Sequence, residues 1–364
     1  MKTNNTLPSF RRRPESSGFN DILDSGLRRN DGKKLTGQQR AKVKKYYFLI
    51  LLSTLLQMGC EDKSITTASA PGDKNPLAIN VPQVLVPAGE FIRGSDREDD
   101  LAMRQQYGFP APLFVDEHPQ KKLHLAAFRI DTYEVSNQQF KAYILSTRRM
   151  LPHAWMSNGY AIAEDQLSGL EVEKLRKLAT DVFALDLDTR DMQRPALLAA
   201  ILEQQQRQDR YPVTGVNWFA AKEFCAWRQT RLPTEAEWEK AARGPDGLEY
   251  PWGNEWDPTI TNTGDDGEWD EGMAPIGSYP QNKSPYGAYD LAGNVWEWVA
   301  DWYEPYAGST YQTEAFGKRN RVVRGGGGGV GHYAISYFFR GATRQFSEPE
   351  MESEDVGFRC ASDV

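Results

Sequence analysis

The sequence predicts a mixed α+β domain with little regular secondary structure, set behind an amino-terminal stretch that does not fold. Three observations carry this expectation. Thirty-one Gly with ten Trp, sixteen Tyr and sixteen Phe is a mix in which turns and ring packing outweigh long regular elements. The helices are announced by capping signals rather than by long apolar stripes. A hydrophobic content of 40% over 364 residues can fill one sizeable core, while the first residues show no apolar periodicity of either kind. The net charge of -7 and the pI near 5.4 argue against nucleic acid as a partner, because phosphate binding needs clustered surplus Lys and Arg.

Residues 1–45 divide into a polar, irregular start with basic patches at Arg11 to Arg13 and Arg28 to Arg29, and a basic run that includes Lys33, Lys34, Arg40, Lys42, Lys44 and Lys45. Residues 46–60 then hold the apolar run Tyr46 to Leu56 followed by Gln57, Met58, Gly59 and Cys60. That order of parts is a signal peptide: the run is too short to span a bilayer, and a small residue before a cysteine is where a lipoprotein signal peptidase cuts. Lipidation of Cys60 is therefore expected, giving an exported protein anchored on the periplasmic or outer-membrane face. Gln57 stands where a lipoprotein box carries Leu, so an ordinary cleaved signal and an uncleaved anchor stay open. Residues 61–81, rich in Ser, Thr, Ala, Pro and Lys, read as a flexible stalk.

The folded domain spans residues 82–362. Val84 to Gly94 mixes apolar and turn residues as a hairpin of half-buried strands does. In Tyr133 to Ile144, Ser136 is an N-cap, Gln139 closes a capping box, Val135 staples onto Phe140, and Phe140, Tyr143 and Ile144 form the buried face. A second helix starts near Asn217 with Trp218, Ala221, Phe224 and Cys225 on one stripe. A third follows Pro233, with Thr234 and Glu237 as its capping box and Gly244-Pro245 as its end. Between the first two, residues 164–209 carry leucines at helical spacing on both sides of Pro195, which predicts an inserted pair of amphipathic helices packed on the surface.

The strings V-P-A-G-E-F-I-R-G, Y-E-V-S-N-Q-Q-F, V-N-W-F-A-A-K-E-F-C-A-W, R-L-P-T-E-A-E-W-E-K-A-A-R-G, Y-P-W-G-N, G-N-V-W-E-W-V-A-D-W-Y, V-V-R-G-G and V-G-F-R-C-A follow one another from residue 86 to residue 361. In content and order they resemble the signatures of the formylglycine-generating enzyme, or sulfatase-modifying factor, family. The resemblance implies that family's variant of the C-type-lectin-like fold. It does not fix an activity, since the family holds sulfatase-activating oxidases, iron-dependent sulfoxide synthases, pigment-maturation proteins, gliding-motility lipoproteins and ligand-display proteins.

The oxidases need two thiolates for one copper ion in the segment after R-G-G. Counting back from G-F-R-C, those places hold Gly331 and Ser336, so no copper is expected and no catalytic residue is assigned. The iron-dependent relatives use a histidine cluster, whereas His118, His124, His153 and His332 are scattered and none stands at i, i+4 spacing. The resemblance further implies a structural disulfide between Cys225 and Cys360, with Ala242 and Gly341 where some members place a second bridge. It also implies calcium. One site takes Asp290, Glu297 and the carbonyls of Gly293 and Val295, and a second takes Asn262, the Thr263 carbonyl and Asp266. Arg324, His332 and Tyr333 offer cationic and aromatic groups for a ligand, while Tyr337, Arg340 and Arg344 read equally as core.

The resulting expectation is a non-catalytic envelope lipoprotein acting as a binding or scaffold module for a protein or glycan ligand. Two other readings stay open: a protein-modifying oxidase with a re-sited centre, marked by copper or iron binding, and a diversified ligand-display protein, marked by a near-copy of its carboxy-terminal coding segment beside a reverse transcriptase gene.

Overall fold

The computed structural model describes residues 81–99, 105, 112–264, 272–327 and 336–364. The expected signal segment, Cys60 and most of the stalk lie outside the described residues. The chain divides into two units, Met1–Asp62 with Asp100–Pro112 and Lys63–Asp99 with Leu113–Val364, and every element below belongs to the second. Among the described residues no helix is long and apolar enough to cross a membrane.

Strand β1 (Gln83–Val86) pairs antiparallel with β4 (Phe128–Asp131), and β2 (Gly89–Arg93) pairs with β3 (Lys121–Leu125). This corrects the expected hairpin over Val84 to Gly94, because its two halves belong to different sheets. Pro87 cannot donate to a ladder, and Gly89 sits at φ +147°, so the short break re-aims the chain rather than folding it back.

The capped helices form as the spacing predicts. Helix α1 (Asn137–Thr147) has both halves of the Ser136–Gln139 capping box and buries Phe140, Tyr143 and Ile144. The insertion is more broken than a helix pair: α2 (His153–Ser157) precedes it, and it contains α3 (Glu164–Ser168), α4 (Val172–Lys177), a π-turn over Leu178–Val182 and α5 (Arg194–Gln208). Gly169 ends α3 early, and Leu167, Leu175, Leu178, Leu197 and Ile201 are buried. Helix α6 (Trp218–Trp227) is capped by Asn217 and buries Trp218, Ala221, Phe224 and Cys225. Helix α7 (Glu235–Arg243) carries the Thr234–Glu237 box and stops at Gly244.

The later half supplies β5 (Trp296–Trp302), β6 (Arg321–Arg324), β7 (Gln345–Ser347), β8 (Val356–Phe358) and β9 (Ala361–Asp363). They form a four-stranded sheet in the order β7-β6-β5-β8, with β5 and β8 parallel, while β9 joins β4 to complete a β1-β4-β9 sheet. One core cluster gathers rings from α1, α6, β5 and β8, including Phe140, Phe224, Trp298 and Phe358. A second gathers Val86, Phe128, Ile130, Trp238, Val299 and Val322. The stretch from Asn282 to Val295, which carries Asp290, Gly293 and Val295 of the expected calcium ligands, leads into β5 and is buried over much of its length.

Candidate functional site: a buried carboxylate nest and its arginine

Four charged side chains meet behind β5. Arg359 lies between β8 and β9 and grips Glu297 of β5 with both forks, Nε to Oε2 at 2.7 Å and Nη2 to Oε1 at 2.6 Å. Trp238 Nε1 adds a third donor to Glu297 Oε2 at 2.8 Å. Both partners are fully buried, and Arg359 also donates to the carbonyls of Asp131 and Tyr289. A buried carboxylate held this way is neutralised and positioned by its guanidinium.

Asp290 and Glu134 stand beside that pair without an arginine of their own. Asp290 holds φ +58°, a left-handed position that Asp tolerates, and its Oδ2 accepts from Gly277 N at 2.7 Å. Glu134 Oε1 accepts from Asn294 Nδ2 at 3.0 Å, while Oε2 has no N–H or O–H donor. The two carboxyl groups interact electrostatically. Burial pushes Asp290 up to about 6, against the opposing pull of Gly277 N–H and Arg359. Burial pushes Glu134 well above the usual carboxylate range, and the neighbouring Asp290 charge pushes the same way.

The expected calcium ligands divide accordingly. Asp290 presents a carboxylate oxygen to a hard cation, while Glu297 accepts from Arg359 and Trp238 and keeps acceptor capacity only on Oε1. Gly293 is at φ +89°, where a Cβ would strike Thr261 Oγ1 and the Asn262 carbonyl, so only glycine fits the loop there. At the second expected site the Asn262 amide donates to Gly272 O and Asn294 Oδ1, and its Oδ1 accepts from Gly264 N at 3.0 Å. Thr263 is buried beside it, and Asp266 lies outside the described residues. Among the described residues no three His, Cys, Asp or Glu side chains converge as a metal-binding group.

The carboxy-terminal arginines are structural, which corrects the ligand role expected for Arg324. Its guanidinium is fully buried and donates to Glu239 Oε2 at 2.9 Å, Gly341 O at 2.7 Å and Glu235 Oε1 at 3.3 Å. Arg344 takes Glu235 with both forks, and Arg340 binds Glu117 at 2.7 Å and Glu249 at 2.6 Å. Glu235, Glu239 and Glu117 are buried, so these arginines are the counter-charges of a core network. His332 and Tyr333 lie outside the described residues, as does Gly331.

Ser336 opens a 3-10 turn, Ser336–Phe339, and its carbonyl accepts from Tyr250 Oη at 3.5 Å. Rings surround it: Tyr250 stacks on Trp252, and Trp256 stacks on Phe339. Cys225 and Cys360 form a disulfide with Cα atoms 5.7 Å apart, tying α6 to the segment before β9. Arg243 occupies the space at Gly341, where an added Cβ would strike its Cγ.

This loop-rich α+β domain, with its buried arginine–carboxylate networks, matches the Sulfatase-modifying factor enzyme 1-like domain over residues 72–364, and the chain belongs to that family. It is 30% identical over 318 residues to the Formylglycine-generating enzyme of Mus musculus, covering 81% of this chain and 79% of that one. It is also 30% identical over 300 residues to the Inactive C-alpha-formylglycine-generating enzyme 2 of Bos taurus, covering 78% and 88%. Among solved structures, PvdO from Pseudomonas aeruginosa aligns with a TM-score of 0.50 at 23% identity, over 78% of this chain and 94% of that one. The fold is thus the C-type-lectin-like fold of the formylglycine-generating type.

Sequence reasoning missed Glu134, Glu235, Glu239 and Glu117 as network members. Glu134 sits in the Y-E-V-S-N capping string and Glu235 and Glu239 in the α7 capping string, where acids read as helix-start residues. No spacing in the sequence marks which acids turn inward.

Proposed function

We propose that this chain is a non-catalytic binding or scaffold module of its family, tethered to the bacterial envelope through a lipid on Cys60, stabilised by calcium, and presenting its domain to a protein or glycan ligand. One observation carries the loss of catalysis. The chain has three cysteines, Cys60, Cys225 and Cys360, and the family's two reactive positions hold Gly331 and Ser336. Two of the three are joined to each other, so neither is available as a thiolate for a soft metal. A relative named as inactive lies within the same family at 30% identity, so the domain is compatible with a role other than oxidation.

The export half of the reading rests on the basic run, the short apolar run and Gly59-Cys60 in that order. The test of catalysis is direct: the purified full chain is stripped with chelator, reloaded with Cu(I) and oxygen, and incubated with a cysteine peptide, while a formylglycine-generating enzyme runs in parallel. No aldehyde is expected from this chain by mass spectrometry. Aldehyde above the metal-free blank would replace the proposal with a re-sited oxidase. Metabolic labelling with an alkyne fatty acid tests the tether, and Cys60→Ser is expected to abolish label without changing the fold.

A further inference from the structure

The turn that ends α1 carries apolar side chains into solvent. Met150 and Leu145 are 89% and 72% exposed, and apart from the terminal Val364 no other large apolar side chain among the described residues is as bare. Leu151 beside them is exposed as well. Arg148 holds the turn at φ +56°, a place where glycine or asparagine is the usual choice, and its N–H donates to Ile144 O at 2.8 Å. Leu145 to Leu151 thus form a knuckle that presents apolar groups and two arginines together.

The charge around it is one-sided. The chain has 50 Asp and Glu, yet none from Val135 to Ala163, a stretch that holds Lys141, Arg148 and Arg149. Glu223 of α6 faces the knuckle from the neighbouring helix, 3.1 Å from Arg149, with both side chains open to solvent. A pair of that kind is weak and gives way to a stronger anionic partner.

The knuckle also lies at the end of the domain where the stalk arrives. Pro82 O accepts from Thr132 N at 2.9 Å, and Gln83 Nε2 donates to Asp131 Oδ1 at 3.0 Å. Arg228 grips Asp131 at 2.7 and 3.0 Å and directly follows Trp227, the last residue of α6. Trp227 stands 5.5 Å from the Tyr143 ring and lines one open cleft with Arg149. A flexible coil as long as residues 61–81 spans roughly 25 Å, which keeps this end of the domain near the surface that carries Cys60. Bare Leu and Met flanked by Arg and an indole are the groups that enter the headgroup layer of an anionic bilayer.

We propose that the Leu145 to Leu151 knuckle is a second, non-covalent membrane contact, with Leu145, Met150 and Leu151 dipping into an anionic bilayer and Arg148 and Arg149 on its phosphates. The proposal rests on the envelope-tether reading for which membrane is met. It sets the orientation of the domain, with the ends of α1 and α6 turned to the lipid.

The test uses the full chain with Cys60→Ser, so that no lipid tether is present and a failed fatty-acid labelling leaves the result standing. Cys225 and Cys360 are bonded to each other, so Met150→Cys then carries the sole free thiol and takes an environment-sensitive fluorophore. A side chain this exposed is replaced without disturbing the fold. Gln312→Cys is the control, exposed in the loop between β5 and β6, which leads to Arg321 stacked on Trp218 at the other end of α6. Both proteins keep the apolar run of residues 46–56, which can hold a chain on vesicles whatever the knuckle does, so the readout is local. Vesicles of phosphatidylcholine with about one quarter phosphatidylglycerol, an anionic surface, are expected to shift emission at position 150 to the blue and leave position 312 unchanged. Adding Arg148→Gln and Arg149→Gln should weaken the vesicle titration read at position 150 at least ~10-fold, and Leu145→Glu should abolish the shift. No shift at position 150, an equal shift at position 312, or the same response on phosphatidylcholine alone would each overturn the proposal. So would a dimer in sedimentation that Leu145→Glu dissolves, because the face would then pair two copies of the chain. A protein partner for the face would show as silence on both kinds of vesicle, which overturns it too.

Discussion

Reduction of the Cys225–Cys360 bridge is the sharpest single perturbation of this domain. The bonded residues are 135 apart in sequence, so the bridge closes a loop over more than a third of the chain. In the chain-entropy picture, a loop of this size removes about 17 cal/mol/K from the unfolded ensemble, or about 5 kcal/mol at 25 °C, and measured bridges commonly deliver about 2–4 kcal/mol of such a value. With an m-value of about 3 kcal/mol/M in urea, the midpoint should fall by ~1 M on reduction. The assay is urea unfolding followed by fluorescence of the ten Trp, with oxidised wild type, reduced wild type and Cys225→Ala/Cys360→Ala run together. Reduced wild type separates the cross-link from packing, because both sulfur atoms remain in the core. The m-value should also rise on reduction, since the unfolded chain loses its largest closed loop. Thiol titration in urea without reductant should find at most one thiol, that of Cys60. Three thiols, or superimposed oxidised and reduced curves, would refute the reasoning.

Other consequences follow from the same networks. Arg324→Met should cost about 3 kcal/mol in urea unfolding, because it removes one of the two arginines that face each of Glu239 and Glu235 in the core, leaving Arg243 and Arg344 alone. Burial alone would raise the Glu235 carboxyl, but Arg344 and Arg324 overcome it and hold the group below the usual range. A depressed native value contributes stability that is complete above the unfolded carboxylate value of about 4.3 and is lost as pH falls through the native one, so Glu235→Gln should flatten the acid limb of a stability–pH curve. Gly341→Ala should cost about 1–3 kcal/mol by thermal or urea unfolding, because the new methyl group meets an Arg243 side chain pinned to Gly94 O and Leu248 O. Ser136→Ala should cost about 1 kcal/mol and fray the start of α1, read as faster amide exchange at Gln139.

What could be read from the residues alone follows the range of the forces involved. Helix starts are local: Ser136 with Gln139, Asn217 with Ala220 and Thr234 with Glu237 each complete a cap within one turn, and each forms where the spacing places it. The apolar faces of α1 and α6 were legible for the same reason. Strand pairing is non-local, and β1 and β2 go to partners about forty and thirty residues downstream, so a stretch that reads as one hairpin becomes the edge of two sheets. The site was legible only in part. Asp290 and Gly293 stand out through their motif, but Glu134 reaches Asn294 across 160 residues and Arg359 reaches Glu297 across 62. Arg324 read as a recognition group because arginine beside glycine in a loop-rich segment is usually exposed; its burial depends on Glu235 and Glu239, contributed by a helix 85 or more residues earlier.

The three-stranded sheet has a mechanical consequence. Strands β1 and β9 both run antiparallel to β4 and therefore parallel to each other, with Gln83 beside Asp131 at one end and Asp363 beside Phe128 at the other. The chain enters and leaves this sheet at opposite ends of the same central strand. Tension applied between those two points slides the outer strands along β4, loading many backbone hydrogen bonds at once instead of peeling them apart in sequence.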